Sequence, residues 1–105
     1  MMDRHYAPRA TVRLFAPDER EAVLAEAGEA ARAGRRVAVV SFHPASLEGV
    51  RTIAMPAEAH AYAAHLYALL HDLDEHGAET VWIERVPDDH AWAGVRDRLR
   101  RAATH

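Results

Sequence analysis

The chain has 105 residues, of which half are hydrophobic and 28% charged, and a formal net charge of -3 at pH 7. That length holds one domain with a real core, the composition excludes a disordered chain, and so mild a charge gives no electrostatic reason to expect direct binding to nucleic acid or a membrane surface. With no cysteine, disulfides and thiolate sites are excluded, and because all 13 basic residues are Arg there is no lysine for a Schiff base or a phosphate-binding loop.

Residues 1–9 follow neither a helical nor a strand period and read as a linker-like tail ahead of a single domain over residues 10–105. The stretch "ATVRLFA", Ala10 to Ala16, alternates around Val12 and Leu14 and predicts a strand that stops at Pro17. Pro17 to Gly34 begins with proline and acidic residues and ends in glycine, the signals of a helix, with Val23, Leu24, Ala27, Ala30 and Ala31 as its apolar stripe. "RRVAVVSF", Arg35 to Phe42, is a continuous apolar run of strand length and predicts a central strand covered on both faces. The next segment, His43 to Gly49, is too short for a crossover helix, and "VRTIAM", Val50 to Met55, predicts a short edge strand whose direction stays open.

Pro56 to Gly77 predicts the longest helix, with Ala59, Tyr62, Ala63, Leu66, Leu70 and Leu73 on one face. "AETVWIERV" predicts a second buried strand, and Ala91 to Ala103 a terminal helix turning Trp92, Val95, Leu99 and Ala102 inward. The order β-α-β-β-α-β-α predicts an α/β, small three-layer Rossmann-like domain: a mostly parallel four-stranded sheet with helices on both faces. Simple right-handed crossovers predict that the first strand is central, with the second and third to one side and the fourth to the other. The switch point then falls between the first and fourth strands, where ligands gather outside the carboxyl ends.

The loops expected there are Ala16 to Asp18, Arg85 to Asp89 and, nearby, Ser41 to Ser46. "APDER" replaces the glycine-rich turn of dinucleotide sites, so ordinary dinucleotide binding is disfavoured. The candidates for a ligand in this crevice are Ser41, His43 and Glu84; for Glu84 the alternatives are a surface charge or a partner for Arg85. "PDDH", with Asp88, Asp89 and His90, reads as a turn that caps the last helix in preference to an acid or metal cluster. His60, His65, His71 and His76 recur at intervals of five and six, never the i, i+4 spacing that aims two imidazoles at one ion, so no metal ligand is assigned. Arg96, Arg98, Arg100 and Arg101 sit among acids on the last helix and read as a solvated face favoured by the helix dipole. No apolar run reaches the length of a membrane span and no signal-peptide core opens the chain, so the expected compartment is the cytoplasm; the opening Met-Met-Asp suggests a natural start.

The opening "HYAPRATVRLF" resembles the segment that joins the two domains of long-form threonylcarbamoyl-AMP synthases, where an HYxP-like motif leads into the carboxy-terminal domain. "YAAHLYALLHDLDEHGAETVWIERVP" and "DRLRRAA" are similar to the LYxxLRxLDxxGxxxIxxExxP and DRLxxAA patterns of that domain, in the same order. The chain departs from the pattern at Trp92 in "AWAGVRDR" and at His71, where the family often has Arg. The resemblance implies a Rossmann-like carboxy-terminal domain of enzymes that join threonine, bicarbonate and ATP into threonylcarbamoyl-AMP, for threonylcarbamoyladenosine in transfer RNA. It places the catalytic residues in a YrdC-type domain that this sequence lacks. No autonomous synthase activity, no catalytic residue and no cofactor of its own are therefore expected, with ATP or threonylcarbamoyl-AMP as ligands only in complex with a catalytic partner. It further implies that the tail lies over the partner's cleft, with His5, Tyr6 and Pro8 near the nucleotide product.

Three functional readings follow. The chain is a non-catalytic accessory or regulatory domain acting in trans on a YrdC-type catalytic protein, or a freestanding binder of small, nucleotide-like molecules, or a dimerisation module that buries Trp92 or Tyr67 against a second copy. Damage from Tyr6→Ala marks the first, and concentration-dependent mass the third.

Overall fold

A computed structural model describes residues 9–43 and 45–104. Four strands, β1 (Thr11–Phe15), β2 (Val37–Ser41), β3 (Arg51–Ala54) and β4 (Thr80–Glu84), form one sheet in the order β1-β4-β2-β3. Every neighbouring pair is parallel. Three helices complete the chain: α1 (Arg20–Arg32), α2 (Ala59–Glu75) and α3 (Ala93–Thr104). This is the small, three-layer Rossmann-like arrangement expected of the alternating pattern.

The strand order differs from the expectation. β4, not β1, takes the place beside β2, and β1 becomes an edge. The cause is written in the strands: β2 is buried at all five positions and β4 at its last four, whereas β1 exposes Thr11 and Arg13. A central place for β1 would put the Arg13 guanidinium between helix and sheet without water, a cost that the uncharged "VAVVS" and "TVWI" runs do not carry. β3 is the other edge, as its shorter and less buried run predicts, and it runs parallel to β2. Because the pair is parallel, the connection between them must return the chain to the other edge of the sheet, and it does so with no helix among the described residues. It folds back through a bridge between Leu47 and Val50, with Gly49 at φ +80°.

The crossover from β1 to β2 and that from β3 to β4 run in opposite directions along the sheet, so right-handed connections place α1 on one face and α2 on the other. The core divides accordingly. Phe15, Val37, Val39 and Trp82 pack with Val23 and Ala27 of α1. Val12, Val40, Val81 and Ile83 pack with Tyr62, Leu66 and Leu73 of α2 and with Val95 and Leu99 of α3.

The helix ends are set locally. Pro17–Glu19 forms a single 3-10 turn ahead of α1, and Gly34, at φ +88°, follows its end. α2 begins at Ala59, three residues after the predicted start, because Glu58 stays extended and its carboxylate accepts the amides of His60 (3.0 Å) and Ala61 (2.9 Å). Those bonds hold the Glu58 carboxyl below the usual carboxylate range. The chain leaves α2 through Gly77 at φ +76°, where a Cβ would lie 2.8 Å from Arg36 Nη1.

Candidate functional site

The carboxyl ends of β2 and β4 bring together the three crevice residues singled out from the sequence. Glu84 closes β4 and is buried, only 6% exposed, which rules out a surface charge. Its Oε1 accepts the Phe42 amide at 3.1 Å, tying the end of β2 to that of β4. Ser41 is also buried, and its hydroxyl donates to the His43 carbonyl at 2.7 Å. His43 itself is exposed, and its carbonyl also accepts Arg20 Nη2 at 3.3 Å. The Ser41 and Glu84 bonds therefore hold backbone, shaping the turn that leaves β2.

An aromatic triangle stands at the same end of the sheet. Phe42, Tyr62 and Trp92 have ring centroids 5.4–5.8 Å apart, two of the pairs edge to face. Burial, and then the negative charge of Glu84, push the Tyr62 phenol well above its ordinary range. Trp92 is buried here, so of the two residues named for the dimerisation reading only Tyr67, half exposed, is a large hydrophobic side chain on the surface among the described residues.

β1 continues to α1 on one face and β4 to α3 on the other, so the switch point lies between these adjacent strands, as expected. Beside it, between the end of β1, the segment after β4 and α3, opens a cleft of about 560 Å³ lined by Leu14, Val86 and Leu99, by Arg85, Arg96 and Arg100, and by the acids Asp88 and Asp97. The sequence placed Arg85 to Asp89 at the switch point but did not single out Arg85, and read Arg96 and Arg100 only as a solvated face. Their convergence depends on α3 lying across β1, which no local pattern encodes.

The other residues weighed from the sequence have structural places. Asp89 caps the turn before α3, accepting the Ala91 amide at 3.1 Å. His60, His65 and His76 are exposed on or just beyond α2, and His76 Nδ1 lies 3.3 Å from Asp72 Oδ1. Among the described residues no three His, Asp or Glu side chains gather where they could hold a metal ion, and no helix is long and apolar enough to cross a membrane.

His5, Tyr6 and Pro8 lie outside the described residues. The point from which they extend is defined. The Asp74 carboxylate, near the end of α2, accepts the Arg9 amide at 3.0 and 3.2 Å and the Ala10 amide at 3.4 Å. Asp74 is the aspartate of the "LDEHG" stretch that carried part of the family resemblance, and sequence reasoning gave it no role. Its anchor sits at the amino edge of the sheet. The crevice is at the carboxyl edge, a five-residue strand or about 15 Å away at about 3.3 Å per residue.

Comparison with known proteins fits this architecture. The solved structure described as P. abyssi Sua5 complexed with L-threonine superposes with a TM-score of 0.79 at 24% identity, over 98% of this chain and 31% of that one. A P. abyssi Sua5 variant with alanine in place of a consecutive histidine and tyrosine gives 0.76 at 21% identity, over 91% of this chain and 28% of that one. The chain thus spans less than a third of the length of these solved proteins. A search of curated proteins gives no significant match. The sequence matches the family profile described as "Threonylcarbamoyl-AMP synthase, C-terminal domain" over residues 1–104, and with that match spanning nearly every residue the chain belongs to this family.

Proposed function

We propose that this chain serves threonylcarbamoyl-AMP synthesis, and through it transfer RNA modification, as a non-catalytic accessory domain working with a YrdC-type catalytic protein. The observation that carries the proposal is the family match over residues 1–104, which includes the tail as well as the folded part. The hydrogen bonding at the crevice supports it: Ser41 and Glu84 hold backbone groups where a catalyst would aim them at a substrate. Two printed features of the solved relatives bear on the same reading. One was crystallised with L-threonine, the amino acid the reaction consumes, and the other had a consecutive His-Tyr pair replaced. His5-Tyr6 is the single such pair in this sequence.

In this reading threonine, bicarbonate and ATP react on the catalytic partner. The tail, held at its root by Asp74, reaches over the partner's cleft, where His5, Tyr6 and Pro8 meet the nucleotide product. ATP and threonylcarbamoyl-AMP are then ligands of the assembled pair.

The test is isothermal titration of the full chain against a YrdC-type protein of the same organism, with ATP and threonine present. The reading predicts saturable binding that Tyr6→Ala weakens and Arg85→Gln leaves unchanged. Absence of binding defeats the accessory role, and wild-type binding by Tyr6→Ala defeats the assignment of the tail.

A further inference from the structure

We propose that the cleft between β1, α3 and the segment after β4 is a second, independent binding site, for a small molecule that carries an oxyanion, phosphate or carboxylate, on an apolar body. Its volume of about 560 Å³ falls in the range of small-molecule pockets. It lies beside the crevice where parallel α/β sheets collect ligands. Its lining joins the apolar Leu14, Val86 and Leu99 to three arginines, Arg85, Arg96 and Arg100, and two acids, Asp88 and Asp97.

The charges divide unequally. Asp97 accepts Arg100 Nη2 and, at 2.7 Å, Arg101 Nη2, and Asp88 lies 3.5 Å from Arg96 Nε. Each acid is thus engaged, and Arg96 and Arg100 are charge-paired by the same contacts, so the cleft's surplus positive charge falls to Arg85. Arg85 is exposed, and among the described residues its guanidinium has no hydrogen-bond or ion-pair partner. Its backbone is nonetheless fixed, because its amide donates to the Phe15 carbonyl at 2.8 Å and so continues the ladder between β1 and β4.

Arg96 is held as well. Its Nη1 donates to the Pro87 carbonyl at 3.1 Å and to the Asp89 carbonyl at 2.8 Å, which leaves its other terminal nitrogen without a partner among the described residues. Guanidinium groups with open donors, placed beside apolar side chains, match the planar or tetrahedral oxygens of an anion and the body attached to it. A neutral apolar molecule would leave those donors unused.

The experiment is a two-dimensional amide NMR titration of the full chain with phenyl phosphate, benzoate and benzyl alcohol, which share a ring and differ in the head group. Both anions should shift the amides of Arg85, Val86, Ala93 and Arg96 saturably, and added salt should weaken them. Stronger binding of phenyl phosphate identifies a phosphate ligand, and stronger binding of benzoate a carboxylate. Arg85→Gln should weaken the anions by about tenfold, the loss of one charge-assisted contact, and Arg85→Lys by less. Arg98→Gln, on the same helix but outside the cleft, should bind as the wild type does. Equal binding of benzyl alcohol, no saturable shift at these amides, or undiminished binding by Arg85→Gln would overturn the proposal.

Discussion

Replacing Glu84 tests whether its carboxylate is a structural tie. Glu84→Ala removes the buried carboxylate that accepts the Phe42 amide, a part-buried donor that then loses this partner. An unsatisfied buried donor costs about 1–3 kcal/mol. The lost side chain also empties space beside Tyr62, and each buried methylene adds about 0.8 kcal/mol. The expected loss is therefore about 2–4 kcal/mol. Glu84→Gln keeps a carbonyl oxygen in the same place and should lose less than half as much. Urea unfolding, followed by fluorescence of Trp82 and Trp92, measures both variants. Hydrogen exchange at the Phe42 amide gives a second readout, which should speed up in Glu84→Ala and stay slow in Glu84→Gln. If Glu84→Ala falls within about 0.5 kcal/mol of the wild type, inside the range of ordinary surface substitutions, the tie contributes nothing and the reasoning fails.

Three further predictions concern the frame around the site. Because burial and Glu84 raise the Tyr62 phenol, the folded protein keeps a proton that the unfolded chain releases near pH 10. The stability this proton confers is complete below about pH 10 and falls by about 1.4 kcal/mol per pH unit above it; Tyr62→Phe should remove that slope in denaturation at alkaline pH. Asp74→Ala, which frees the Arg9 and Ala10 amides, should cost about 1 kcal/mol by thermal unfolding and weaken the titration with the catalytic protein as Tyr6→Ala does. Gly77→Ala should cost about 1–2 kcal/mol in urea unfolding, since alanine resists φ +76°, while Gly77→Asn should cost less.

Much of the fold is legible in the chain because burial leaves local marks. Pro17, Gly34 and Gly77 punctuate the helices, and "VAVVS" and "TVWI" announce strands covered on both faces. The same marks held the correct strand order, since Arg13 in the alternating first strand belongs at an edge. The expectation erred by giving simple succession of crossovers more weight than that charge. The site is less legible for a different reason. Glu84 and Phe42 are 42 residues apart and Asp74 and Arg9 are 65 apart, so each pair exists only once the sheet is assembled. Arg85 gains meaning only when α3 crosses β1 and walls off the cleft. The family resemblance pointed to the "LDEHG" stretch but could not say that its aspartate holds the root of the tail.

The accessory role is tested most directly by measuring threonylcarbamoyl-AMP formed from threonine, bicarbonate and ATP by a YrdC-type catalytic protein, with and without this chain. The account predicts no product from this chain alone, and more product from the mixture than from the catalytic protein alone, with the gain lost in Tyr6→Ala. Product from this chain by itself, or a rate that its addition leaves unchanged, would contradict it.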